Sequence, residues 1–440
     1  MLSAAQARLE AQELIALAAT ALIALTPLAA SAQTPPAAAA APVADPAVHT
    51  RATALIPVLA GRPGYDALFT AAFRQAVPPA QWTALAAQLR ATLGEPRRVA
   101  RLDPAGRWAA TAVIDYDRGT ATLRLSLDPA APHAIAGLLI TGTDLRGDTP
   151  AKVQADLAAL PGIAQVGIYA LDGPQPAPLA ETRADTPAPL GSAFKLWVLA
   201  EAARQVAAGT RHWDDVVTVG PPSLPSGILQ NWPRATPVTL QTLATLMISI
   251  SDNTATDTLL TTLGRAKVDA MAEGAGGSVP VMTTREMFAL KGAPALTKQW
   301  AAGSVDDRRA LLVDHAVRIA TAKLDMSVFA GKPVAVDSVE WFASPTAMAG
   351  LLDRLSAADD TTRAILAVNA GVDPGIAARF RYVGFKGGGE PGVLSLNYLV
   401  QAKDGRWYAA TGNWHRADDA VNELRFAGLM GRALAVLASR

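Results

Sequence analysis

Ser192-Ala193-Phe194-Lys195 sets a hydroxyl and a primary amine three residues apart. On a helix that spacing brings two side chains to one face. A serine hydroxyl is a weak nucleophile until a base takes its proton, and no histidine lies near Ser192 in sequence. The amine can be that base if its pKa falls towards neutrality. Taken alone, the pattern reads more readily as an N-cap serine opening an ordinary helix.

Two further tripeptides change the weighing. Ser251-Asp252-Asn253 lies between two helical patterns, Thr239 to Ile248 and Thr254 to Leu260. In isolation it is a turn with an N-cap. In a catalytic setting Ser251 can relay a proton to a leaving nitrogen, Asn253 can hold Lys195 or a substrate carbonyl, and Asp252 ties the loop down. Lys386-Gly387-Gly388 is expected to end a strand that begins near Phe380. Its bland reading is a strand-end lysine before a Gly-rich turn. Its chemical reading is a second cation that binds a substrate carboxylate and, with burial, disfavours the charged form of Lys195. Lowering a lysine from ~10.4 to about 7 costs on the order of 4–5 kcal/mol, which the fold must supply. The backbone N–H groups of Ser192 and Gly389 are the candidate oxyanion donors, Ser192 at the positive end of its helix.

Gly191 precedes the helix expected to carry Ser192 and Lys195, and Gly209 supplies its stop. Thr149-Pro150 reads as an N-cap and N1 proline for a helix to Leu160. Strands are expected at Val166–Leu171, Leu179–Arg183, Phe380–Phe385, Val393–Ala402 and Trp407–Asn413, with an amphipathic helix from Asn422 to Ser439. Two strands, a helical block, three strands and a helix imply an α+β domain over 149–440. Its five-stranded antiparallel sheet would carry the terminal helices on one face and a helical lobe beside it. A site between sheet and lobe follows.

In that order and on those elements, the three motifs resemble those of the penicillin-recognising serine hydrolases, and most closely the class A β-lactamases. The 59 residues from Ser192 to Ser251 suit the family as well. The resemblance covers about residues 150–440. It implies the transpeptidase/β-lactamase-like fold, an acyl-enzyme on Ser192, and Lys195, Ser251, Asn253, Lys386, Gly388 and Gly389 around the substrate. Two departures stand out. Gly387 replaces the hydroxyl residue usual between lysine and glycine, which removes one hydrogen bond to a β-lactam carboxylate. The deacylating glutamate of Glu-x-x-Leu-Asn has only an approximate counterpart, Glu286, with Leu290 one place too far and Lys291 where asparagine is expected. Glu286 is therefore either the deacylating base or a solvated or salt-bridged helix residue. The 135 residues from Ser251 to Lys386 also exceed the family's usual step, and the extra length near Pro294–Val339 should reshape the site's surroundings.

The implied activity is β-lactam hydrolysis, with a DD-peptidase or an esterase as the alternative within the same chemistry. A non-catalytic cell-envelope binding protein is the alternative of another class. The small-molecule β-lactam or a peptide or ester is the implied partner. No cofactor is called for. The five histidines never approach metal-ligand spacing, and with no cysteine the chain lacks disulfides, thiol catalysis and zinc-thiolate sites. A net charge of +1 without a basic block argues against nucleic acid. Gly387-x-Gly389-x-x-Gly392 matches a dinucleotide fingerprint, but Val393-Leu394-Ser395-Leu396 continues as strand where that fingerprint needs a helix.

Residues 1–32 read as an export signal, with an apolar run from Leu14 to Leu28 and Ala30-Ser31-Ala32 as cleavage site. A periplasmic or secreted protein without a stable membrane span is the expectation. Residues 33–49 read as a Pro/Ala linker. Residues 50–146 read as a small α+β module. Helices at Tyr65 to Ala76 and Pro79 to Leu93 precede strands at Arg107–Tyr116, Thr120–Leu127 and Ala134–Thr141. In pattern this resembles the cystatin- or NTF2-like accessory modules found ahead of some bacterial serine hydrolases. No catalytic constellation is visible in it, and its partner is unknown.

Overall fold

The computed structural model describes residues 43–324 and 331–439. The expected signal segment 1–32 and the linker up to residue 42 lie outside them. The last expected linker residues are helical. Asp45 caps Ala47 N, Pro46 takes the first helical position, and Val48, Ala52, Leu55 and Leu59 bury one stripe of the helix Pro46–Leu59. The Ala/Pro composition around this start hides its periodicity.

Next comes a four-stranded antiparallel sheet in sequential order: β1 Pro96–Gly106, β2 Ala109–Tyr116, β3 Gly119–Leu127 and β4 Ile135–Leu145. Strand β1 was not anticipated. Arg97, Arg98, Arg101 and Pro104 give it a polar, exposed face, and two register shifts before Leu102 spoil its alternation. The helix expected over Tyr65 to Ala76 is two short ones, Tyr65–Leu68 and Ala71–Ala76. Phe69 turns extended to bridge Ile135, and Thr70 caps the second helix. The helix Pro79–Leu93 packs Trp82, Leu89 and Leu93 into the same core.

The second sheet joins β5 Ile163–Ala170, β6 Ala177–Thr182, β7 Tyr382–Glu390, β8 Val393–Gln401 and β9 Trp407–His415 in the spatial order β7-β8-β9-β5-β6, all antiparallel. This is the five-stranded α+β arrangement the sequence implied. Because strand side chains alternate between faces, the sheet divides two cores. Ile168, Tyr398 and Tyr408 join the helices Pro150–Ala158 and Glu423–Leu437 on one face. Tyr169, Leu399 and Ala409 join the helical lobe on the other. Strand β7 runs through the glycines rather than ending at Lys386. Backbone pairing with β8 continues to Glu390, and the turn is at Gly392, whose φ is +84°. Lys386, Gly388 and Glu390 thus share one face.

Arg379 reaches the first sheet, binding Asp144 of β4 at 2.8 Å, while Arg432 on the closing helix binds Asp148 in the connector and Asp156 on the helix Pro150–Ala158, each at 2.7 Å. No helix among the described residues is long and apolar enough to cross a membrane.

Candidate active site

Gly191–Phe194 form a single 3-10 turn that runs directly into the helix Lys195–Ala207. Gly191 holds φ +48°, a left-handed conformation that glycine adopts at little cost. The turn lies backbone to backbone on β7. A Cβ on Gly388 would stand 2.2 Å from Leu190 O and 2.4 Å from Ser192 N, so only glycine permits the approach. Gly389 N is 3.0 Å from where a Gly191 Cβ would be. This brings the two expected oxyanion donors, the amides of Ser192 and Gly389, to the same junction. Ser192 is the one half-exposed residue of its turn. With Gly389, Asn253, Thr284, Glu340 and Glu390 it lines a cleft between sheet and lobe.

Lys195 is fully buried. Its amine reaches Ser251 O at 2.6 Å, Asn253 Oδ1 at 2.7 Å and Ser251 Oγ at 3.0 Å. Lys386 donates to the same Ser251 Oγ at 3.1 Å and to the Gly387 carbonyl. Burial first, and the neighbouring Lys386 second, push the Lys195 amine well below its ordinary value. Burial alone takes Lys386 from 10.5 to about 7. A neutral amine has two N–H donors and one lone pair. Two of the acceptors around Lys195, a carbonyl and an amide oxygen, cannot donate. The lone pair therefore falls to the Ser251 hydroxyl, which makes Ser251 a proton path between the two lysines.

One expectation needs correcting. The lysine was expected on the Ser192 hydroxyl, yet Ser192 Oγ makes no hydrogen bond among the described residues. Each proton position of the Lys195 amine is already matched by Ser251 or Asn253. Ser251 itself sits at φ +58°, uncommon for a residue with a Cβ. The loop around it is fixed from behind. Asp252 accepts from Ala255 N, Ile228 N and Leu229 N, the tying role foreseen for it, and Asn253 Nδ2 donates to Leu224 O.

Glu286 does not reach the cleft. It completes a capping box with Thr283 and pairs with Arg265 through both oxygens at 2.7 and 2.8 Å. Of its two readings, the structure gives the salt-bridged helix residue. In its place the cleft carries acids that sequence reasoning missed. Glu340 ends the long segment after Pro294, with Trp341 stacked on Phe194 at 3.8 Å, and Glu390 ends β7. Alternation from Lys386 marks Glu390 as a same-face neighbour. Glu340 has no local signal, since only the tertiary fold returns residue 340 to Gly191.

A serine turn mounted on a sheet edge, beside two buried amines that share one hydroxyl, belongs to the penicillin-recognising serine hydrolases. The family model described as the beta-lactamase enzyme family matches residues 150–411, and the chain belongs to that family. Among solved structures it is similar to PBP-A, in a mutant form described as an acyl-enzyme complex with penicillin G. That likeness has 17% identity and a TM-score of 0.45, over 66% of this chain and 94% of that one. It is also similar to a beta-lactamase from Sphaerobacter thermophilus, at 20% identity and TM-score 0.43 over 65% and 93% of the two chains. A beta-lactamase from Chitinophaga pinensis matches at 18% identity and TM-score 0.44, over 66% and 98%. No curated protein matches the chain.

Proposed function

We propose that this serine β-lactamase-like hydrolase works through an acyl-enzyme on Ser192, with β-lactams as its substrate class. The observation that carries the reading is the convergence of Lys195 and Lys386 on Ser251 Oγ, at 3.0 and 3.1 Å, beside the Ser192 turn. A substrate carbonyl enters the cleft and its oxygen takes hydrogen bonds from Ser192 N and Gly389 N. Neutral Lys195 turns from Ser251 towards Ser192 and takes its proton, and Ser192 Oγ bonds to the carbonyl carbon. The proton passes through Ser251 to the leaving nitrogen as its bond to carbon breaks. Lys386, in its charged form, binds a substrate carboxylate, and Asn253 orients Lys195 and the substrate amide. Export to the periplasm or beyond, with residues 50–146 as an accessory module, completes the proposal.

Gly387 favours one refinement. Without a hydroxyl at this place, carboxylate recognition rests on Lys386, so peptide or ester substrates compete better here than in a class A enzyme. The test is a chromogenic cephalosporin assay with mass spectrometry of the intact protein. Turnover lost in Ser192→Ala supports a β-lactamase. A lasting adduct on Ser192 without turnover supports a peptidase or esterase. No adduct with any β-lactam or activated ester refutes the acyl-enzyme and leaves a binding protein.

A further inference from the structure

Three ionisable side chains are buried beside Ser192 and the acylation step uses none of them. Lys291 Nζ lies 3.1 Å from Glu340 Oε1 and donates also to Glu390 Oε1. The side chains of Lys291 and Glu340 are 0% exposed and that of Glu390 is 10% exposed. Glu340 is fully committed. Its Oε2 accepts from Gly191 N at 3.1 Å and Trp341 N at 3.3 Å, so it braces the turn that carries Ser192. Glu390 is the member open to the cleft.

Burying one ammonium with two carboxylates leaves an uncompensated negative charge, which a low-dielectric site resists. Burial, and then the nearby Glu340, accordingly raise the Glu390 carboxyl. A carboxyl so raised is a stronger base when ionised than one in water. Purely structural ion clusters need no member lining a cleft, and this one has two, in the cleft that Ser192 also lines.

We propose that Glu390 is the base that activates water to release the acyl group from Ser192, with Lys291 and Glu340 as the positioning residues that hold it. This rests on the acyl-enzyme reading given above. The Glu390 carboxylate takes one proton from a water in the cleft as the water oxygen bonds to the acyl carbon. The bond from that carbon to Ser192 Oγ then breaks, and Oγ receives a proton from Lys195, which Lys386 resupplies through Ser251. Glu390 returns its proton to solvent and Lys386 regains one, so the net change is one water consumed per acyl group released.

The test is stopped-flow hydrolysis of a chromogenic cephalosporin together with intact-protein mass spectrometry, on the full chain and on Glu390→Gln and Glu390→Asp. For Glu390→Gln the acylation burst is expected within a few-fold of the parent. Deacylation is expected to slow by about 100-fold or more, with the Ser192 adduct accumulating. Glu390→Asp, which keeps the carboxylate, is expected to recover part of the loss. If the parent forms an adduct and Glu390→Gln releases it at the parental rate, the proposal is wrong while the acyl-enzyme stands. If burst and release fall together in both variants alongside a lower melting temperature, the cluster is structural only and the proposal is overturned. If the parent never forms an adduct, the acyl-enzyme reading fails and takes this one with it.

Discussion

Replacing Lys386 with methionine should make the protein more stable while removing its activity. Burial lowers the Lys386 amine from 10.5 to about 7. At 1.36 kcal/mol for each factor of ten, this is about 5 kcal/mol against the ammonium. In the unfolded chain the amine titrates near its ordinary ~10.4. Between about pH 7 and pH 10 the unfolded state therefore binds more protons than the folded one, and stability rises with pH. The penalty is about 5 kcal/mol below pH 6, about 4 at pH 7 and about 2 at pH 9. Against it stand the hydrogen bonds to Ser251 Oγ and the Gly387 carbonyl, worth about 1 kcal/mol each. Lys386→Met keeps the chain length without the charge. It is expected to gain about 2 kcal/mol at pH 7 and almost nothing at pH 9. For a protein of this size that is a rise in melting temperature of about 2–3 °C at neutral pH. Thermal unfolding of both proteins from pH 6 to pH 9 reads the gap and its closure. A variant less stable at pH 7, or a gap that does not shrink as the pH rises, would refute the claim that Lys386 is held desolvated.

The other predictions concern the neighbours of the site. Gly388→Ala drives a Cβ into two fixed backbone atoms, Leu190 O and Ser192 N, so the Ser192 turn must shift. A displacement of that kind is expected to lower the acylation rate by about 100-fold, read by burst kinetics. Glu286→Gln should leave acylation and release near the parental rates and cost about 1 kcal/mol through the weakened capping box and Arg265 pair. A selective loss of release in that variant would return Glu286 to the mechanism. In Lys386→Met, Lys195 loses the like charge that helps depress it. Its base form then needs higher pH, and the pH profile of any residual acylation should move upward. Ser251→Ala removes the hydroxyl shared by the two amines, so it should slow acylation more than a loop substitution such as Ser226→Ala.

The strands of the second sheet were legible because alternation, β-branched residues and the Asp404-Gly405 turn all agree there. The order of the three motifs placed Ser192, Lys195, Ser251, Asn253 and Lys386 on the elements where they are found. Three things were out of reach for physical reasons. The hydrogen bonding of Lys195 depends on where the 251–253 loop comes to rest, and spacing along its own helix says nothing of that. The fate of Glu286 depends on Arg265, a helix away. The pairing of Lys291 with Glu340 and Glu390 spans 49 and 99 residues. Contacts so distant along the chain leave no mark on local periodicity. Strand β1 failed differently, because its residues face solvent on an edge and carry no apolar alternation to read.

Strand β7, which carries Lys386, is an edge strand, with β8 as its only neighbour in the sheet. Such an edge invites pairing with other chains and is a hazard to solubility. Here the hazard is divided. The helix Asp360–Ala367 covers the first half of the edge, with Tyr382 Oη donating to Arg363 O. The Ser192 turn closes on the second half at Gly388. The turn that carries Ser192 therefore also acts as a stopper that keeps this sheet from growing into its neighbours.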